Sequence, residues 1–202
     1  MAYPVDVSVD YGDGTRSRGL AVAGILFPIK VLLAIPHIVV LALIQFGAFI
    51  ATWIGYWIIA FTGSLSPEIA RFVHNALGWN VRITAWMASM RDEYPGFALE
   101  QPEYGARVAI TEPTLERSRG LAVTGILWGL KGLLIFPHAI VLGLVGVAAA
   151  IGAWIAYWVI AFTGVYPEGV FRFVEGALRW STRVNAWLFS LTDEYPPFAL
   201  NS

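Results

Sequence analysis

The chain is one pattern written twice, and that repetition constrains everything it can fold into. Shifting it by 101 positions lays Tyr3–Leu99 on Tyr104–Leu200 without a gap. "RSRGLAVAGIL" (16–26) falls on "RSRGLAVTGIL" (117–127), "YWIIAFTG" (56–63) on "YWVIAFTG" (157–164), and "DEYPGFAL" (92–99) on "DEYPPFAL" (193–200). Repeat units of this kind bury their apolar surface against each other, so one unit is expected to be incomplete without its copy. The joint, "EQPE" at 100–103, is too short to tether two independent domains. The organisation is therefore repeat 1 over 1–99, a linker over 100–103 and repeat 2 over 104–202.

Each repeat reads as three segments. In "YPVDVSVDY" (3–11), Val5, Val7 and Val9 share one face while Asp6, Ser8 and Asp10 share the other, which is the period of a strand. The stretch 105–111 repeats it more weakly, and since lone strands are unstable the two copies should pair with each other or with a partner. Next come apolar runs over 19–63 and 120–164, in which Lys30 and Lys131 are the only formal charges. Each run is roughly twice the ~20 residues that cross a bilayer once as helix. Pro36 and Pro137 remove a helix donor and disfavour helical geometry at the preceding residue. The expectation is a transmembrane hairpin in each repeat, turning at Pro-His. A single span per repeat would place Arg16 and Arg18 opposite Arg71, Arg82 and Arg91, whereas a hairpin keeps all of them on the side where Lys/Arg-rich loops reside.

The third segment, 66–91 and 167–191, is amphipathic. Ile69, Phe72, Val73, Ala76, Leu77, Ile83, Trp86, Met87 and Met90 recur at helical steps, and Arg71, Asn75, Gly78 and Arg82 form another stripe. In the second copy Arg172, Arg179 and Arg183 hold the polar side. Such a helix following a span is expected to lie in the cytoplasmic interface. The fold class is thus an all-α membrane protein of two tandem repeats, each a short strand, a transmembrane hairpin and an interfacial helix, with about four transmembrane helices in all.

Composition agrees. Hydrophobic residues make up 57% and charged ones 13%, with mean hydropathy +0.65, against about 45–50% and about 25% in soluble domains. With a net charge of −1 and no Lys/Arg run, nothing suggests a nucleic-acid partner, and none is expected. No cysteine is present, which excludes disulfides, thiolate metal sites and cysteine nucleophiles. The first fifteen residues lack a basic segment before an apolar run, so a cleaved signal is not expected and the termini are expected on the cytoplasmic side.

"IPHIVVLAL" (35–43), the two "FTG" stretches, the Arg-bearing helix and the closing "DEYPPF" together resemble the bacterial membrane-protein family known as domain of unknown function 4389. The resemblance covers nearly the whole chain in two copies. Family members are expected to follow "FTG" with an aromatic and a proline; repeat 2 has "VYPEG" (165–169), while repeat 1 departs with "SLSPE" (64–68). The resemblance implies integral location in the bacterial cytoplasmic membrane and tandem use of the unit, with no catalytic residue to carry across.

Several repeated residues are candidates for contact with lipid or partner. His37 and His138 stand at equivalent Pro-His sites; paired imidazoles suit metal, haem or proton relay, but two ligands without a nearby carboxylate make a thin metal site, and capping of a proline-broken turn is the simpler reading. His74 aligns with Glu175 as a polar-face residue. Lys30 and Lys131 are ionisable groups in apolar runs, a functional hypothesis by default. Each stands six residues before its proline, within snorkelling reach of headgroups. Arg71, Arg82, Arg172 and Arg183 complete the lipid- or partner-contacting set. The aromatics of "WIGYW" (53–57) and "WIAYW" (154–158) suit an interfacial belt. Gly146, Ala149, Ala150 and Ala153 have small-residue spacing for helix packing. Asp92–Glu93 and Asp193–Glu194 read as helix terminators or salt-bridge partners of Arg82 and Arg183. No catalytic, cofactor or metal residue is assigned.

The function expected is that of a non-enzymatic integral membrane accessory or scaffold protein, multi-pass, whose partners are the bilayer and other membrane subunits or further copies of itself. The alternatives are a small-molecule or lipid transporter using Lys30 and Lys131, and a lipid-modifying or redox protein centred on His37 and His138.

Overall fold

The computed structural model describes residues 3–111, 114–127 and 129–201. Met1, Ala2, Glu112, Pro113, Trp128 and Ser202, which the repeat boundaries and the second apolar run include, lie outside them. The element order is β1 (Val5–Val9), α1 (Arg18–Ile25), α2 (Phe27–Thr62), α3 (Pro67–Met87), β2 (Ala106–Ile110), α4 (Arg119–Ile126), α5 (Gly129–Thr163) and α6 (Glu168–Leu188).

Each apolar run forms a short helix and then one long helix, where a transmembrane hairpin was expected. Ser17 caps α1 by accepting from the Leu20 N–H, and Ser118 does the same for α4 from Leu121. The chain breaks at Leu26 (φ −80°, ψ 63°), ten residues before the proline. Helix α2 then continues through Pro36, and α5 through Pro137. An internal proline leaves the carbonyl four residues before it without a donor and disturbs the turn around it. Here the Tyr94 hydroxyl donates to Leu33 O (2.8 Å) and the Tyr195 hydroxyl to Leu134 O (2.7 Å). The "DEYP" tyrosine thus mends the turn that "PH" opens, a long-range compensation that local propensity does not contain. Among the described residues two helices, Ile29–Thr62 and Leu130–Thr163, are long and apolar enough to cross a membrane, where four spans were expected.

Both long helices end in a left-handed glycine, Gly63 (φ 81°) and Gly164 (φ 80°), a conformation that disfavours any Cβ. Helix α3 then runs back along α2: Leu65 and Ile69 meet Gly55, Phe72 meets Gly47, and Trp79 reaches His37. Helix α6 runs back along α5 in the same way, with Val170 at Gly152 and Trp180 at His138.

The strands pair antiparallel with Val7 opposite Val108, a residue opposite its own counterpart. That register is the signature of a two-fold relation between the repeats. The repeats also exchange helices. Helix α1 packs on α5 and α4 packs on α2, β1 lies on α6 and β2 on α3. The "FTG" and "RSR" stretches meet across this boundary: Gly164 O accepts from Arg16 N and Gly63 O from Arg117 N, both at 2.8 Å.

Helices α3 and α6 form the middle layer, which corrects their expected place in the lipid interface. Helix α3 exposes only Pro67, Glu68 and Arg71, and α6 only Glu168, Gly169 and Arg172. The stripe carrying Ile69, Phe72, Trp79 and Trp86 turns to α2, and the polar stripe takes β2 and the following loop. Periodicity marks an apolar face but does not say whether lipid or protein covers it.

Candidate functional site

The repeated polar residues converge on two equivalent clusters. In the first, Lys30 is 1% exposed and its Nζ donates to Ser89 Oγ (2.6 Å), with Nζ 5.1 Å from the Trp86 ring centroid and 4.9 Å from that of Tyr157. In the second, Lys131 donates to Ser190 Oγ (2.8 Å) and lies 4.8 Å from the Tyr56 ring and 4.9 Å from that of Trp187. Each lysine is caged by one aromatic ring from its own repeat and one from the other. The tyrosines are fixed by their hydroxyls, which donate to the carbonyls of Met87 (Tyr157) and Leu188 (Tyr56). Snorkelling is not what these lysines do, because the ammonium points inward to the serine.

The serines are placed by backbone geometry. Ser89 (φ 55°) and Ser190 (φ 56°) adopt the left-handed conformation just past α3 and α6, unusual outside glycine. Arg16 Nε donates to Met90 O, and Arg117 Nε to Ser190 O (3.0 Å) and Nη2 to Leu191 O (2.6 Å), holding this turn from the "RSR" side.

His37 and His138 are fully buried, each in its own aromatic cage. Trp79 Nε1 donates to His37 Nδ1 (3.1 Å) and Trp180 Nε1 to His138 Nδ1 (3.0 Å). Phe97 stacks on His37 with centroids 4.0 Å apart, and Phe198 on His138 at 3.7 Å. An indole N–H can only donate, so Nδ1 is the acceptor and the imidazole proton sits on Nε2, which has no hydrogen-bond partner. That tautomer leaves no lone pair for a metal. Among the described residues no group of three His, Cys, Asp or Glu side chains could hold a metal ion.

The aspartates of the acidic pairs act as caps, Glu93 lies 3.9 Å from Arg91, and neither pair meets Arg82 or Arg183. Asp92 Oδ2 accepts from Ser17 N (2.7 Å) and Asp193 Oδ2 from Ser118 N (2.5 Å). Arg82 instead donates to the carbonyls of Ala98 and Leu99. Arg183 donates to Val5 O and Asn201 O and lies 3.7 Å from Asp6. Burial draws the Arg183 pKa down, and Asp6 opposes that shift. Arg179 clasps β1 through Asp6 Oδ1 (2.6 Å) and Val7 O (2.8 Å), while Glu175 accepts from Val9 N (2.9 Å). In repeat 1 the matching contact is His74 Nε2 with Val108 O (3.0 Å). Arg71 is exposed, and Arg172 pairs with Glu168 and Glu175.

The small-residue stripe divides. Ala149 and Ala153 are buried within the chain against the α6 side, whereas Gly146 and Ala150 face outward. Sequence reasoning missed Ser89, Ser190, Trp79, Trp180, Tyr94, Tyr195, Phe97 and Phe198, and read Tyr56 and Tyr157 only as part of a belt. The available signal was their identity in both repeats at the same offset.

The family model described as Domain of unknown function (DUF4389) matches residues 27–98 and 127–199. The chain belongs to this family. Each DUF4389 region begins at a long helix and ends in the loop that carries the caging tyrosine and phenylalanine, so each holds one His-Trp-Phe-Tyr cluster entire. Strands β1 and β2 lie outside the matched regions, as do α1 and α4. The chain therefore pairs two DUF4389 units and adds the segments by which they exchange contacts. No curated protein and no solved structure matches it.

Proposed function

We propose that this protein is a non-enzymatic scaffold seated in one leaflet of the bacterial cytoplasmic membrane, holding its charged face toward the cytoplasm for protein partners. The observation that carries this reading is the outer surface of the long helices. Between Arg18 and Glu68, and again between Arg119 and Glu168, the only formal charges are the buried Lys30 and Lys131. Up to the closing Thr62 and Thr163 the exposed positions are apolar, with Leu43 at 69%, Phe46 at 64% and Phe61 at 76%. Soluble monomers rarely expose a contiguous apolar patch of more than a few hundred Å².

Geometry favours lying in the leaflet over crossing it. Helix α2 has 36 residues, about 54 Å at ~1.5 Å per residue. Fitting that into ~30 Å of hydrocarbon needs a tilt of about 55°, beyond the usual limit of about 40°. The sheet supplies a second argument. It covers the middle of α6, where Glu175, Arg179 and Arg183 meet β1, and α6 runs alongside α5. Upright long helices would set Asp6, Arg107 and two open strand edges at mid-bilayer, where unsatisfied backbone and charge are excluded. Laid flat, the long helices face the acyl chains and the sheet faces water. The lysines, locked between serine and two rings, favour a scaffold over a transporter.

Because the chain has no cysteine, single probes at Ser8→Cys, Glu68→Cys and Glu93→Cys test this with a membrane-impermeant maleimide. All three should label from the same side of sealed vesicles. Glu68 follows the end of α2 and Glu93 lies near its start, so labelling from opposite sides would overturn the seat in one leaflet.

A further inference from the structure

A cavity of about 180 Å³ opens beside Lys131, with Phe49, Thr52, Trp53, Tyr56 and Gly132 in its wall. That is the volume of about six waters at ~30 Å³ each, yet its walls are mainly apolar. Phe49 and Trp53 are 41% and 37% exposed on the outer helix surface, so the mouth gives onto the surface assigned to the acyl chains. Two polar groups in the wall have hydrogen-bonding capacity to spare. Thr52 is 4% exposed and its hydroxyl makes no hydrogen bond. Lys131 has three donors, of which one goes to Ser190, and among the described residues no carboxylate stands within ion-pair distance of it, Asp193 acting on it only from further off. A buried ammonium without a counter-charge in contact is costly, and a buried hydroxyl without a partner adds to that cost.

We propose that this cavity binds the oxyanion of a single-chain lipid. The anion lies against Lys131 and the Thr52 hydroxyl, and the chain leaves between Phe49 and Trp53 into the leaflet. The anion supplies the missing counter-charge and acceptor, and the apolar mouth selects an amphiphile over a free inorganic ion. Gly132 keeps the cavity open: a Cβ built there meets nothing within 4 Å, and repeat 1 carries Val31 at the equivalent position. The proposal rests on the leaflet seat above, because that seat puts lipid at the mouth.

The test is equilibrium binding of radiolabelled oleate to the whole protein in non-ionic detergent, with vesicle flotation of every variant measured separately. Wild type should bind a single oleate per chain, displaced by laurate and dodecyl phosphate but not by oleyl alcohol. Lys131→Met removes the cation and Gly132→Val fills the space; each should weaken binding at least about tenfold, or about 1.4 kcal/mol. Gly143→Val, the same change at an exposed α5 glycine outside the cavity, should leave binding intact. Stronger displacement by laurate or by dodecyl phosphate supports the site in either case and names the source as free fatty acid or phosphate-bearing lipid. Absent saturable binding, displacement by oleyl alcohol, or oleate binding unchanged in both Lys131→Met and Gly132→Val, overturns the proposal. Protein that floats but binds no oleate refutes the cavity alone, whereas protein that fails to float refutes the leaflet seat.

Discussion

At the scale of single residues, the chain spends its repeated polar side chains on repairing backbone, and the Pro-His site shows how. A proline inside a helix strands the carbonyl four residues before it and disturbs that turn. Tyr94 and Tyr195 arrive from far along the chain to donate to the next carbonyls in it, Leu33 and Leu134. The same loop brings Phe97 and Phe198 onto the imidazoles. Removing only the donor should therefore be felt at the proline. Tyr195→Phe keeps the ring against His138 and Trp187 but loses the hydrogen bond, at a cost of about 1–2 kcal/mol. Equilibrium unfolding in mild detergent reads this directly, and an unchanged midpoint would mean that the Leu134 carbonyl does not depend on the tyrosine. Much of this site lay in view in the sequence, since every member recurs at the same offset. What the sequence lacked was distance. "PH" and "DEYP" are separated by more than fifty residues, and nothing local says that a histidine in an apolar run accepts from a tryptophan on the next helix.

At the scale of elements, close helix approach across the repeat boundary is set by two glycines and two tyrosines. A Cβ at Gly24 would stand 2.7 Å from the Tyr157 ring, and one at Gly125 would stand 2.6 Å from the Tyr56 ring. Both rings are held behind by their carbonyl bonds and by the lysine cages, so they cannot simply swing aside. Gly125→Ala should cost about 1–3 kcal/mol by overpacking, even though alanine is the better helix former by about 1 kcal/mol. A thermal melt that rises would show that α4 withdraws from α2 freely. The sequence placed the helical and strand segments well: β1 and β2 fall within 3–11 and 105–111, and α3 and α6 within 66–91 and 167–191. It failed at the breaks. Pro36 and Pro137 looked decisive because their local cost is large, but the chain turns at Leu26, and remote tyrosines support the prolines. It failed likewise on what covers α3 and α6, since an apolar stripe reads the same against lipid as against α2.

At the scale of the whole molecule, duplication is the means by which each half becomes complete. Helix α1 packs on the helix of the other repeat, the strand of each repeat pairs with its counterpart, and each lysine cage borrows a tyrosine from across the boundary. A half-chain cut in the linker would carry its own His-Trp-Phe-Tyr cluster but would expose the glycine faces of α1 or α4, an unpaired strand edge and an uncaged lysine. Such a unit can satisfy all of these at once by meeting a second copy of itself, because the two-fold relation that joins the repeats would then join two identical chains. Residues 104–202 expressed alone should accordingly form a homodimer that dissociates to unfolded chain on dilution. Repeat 1 alone is the weaker dimer former, because it lacks the Glu175 and Arg179 clasp on the strand, His74 and Gly78 standing in their places. Mass photometry with far-ultraviolet circular dichroism across a dilution series checks both. A stable, folded monomer of either half would mean that the exchanged segments are dispensable, and that each repeat holds its long helix and its return helix together without help.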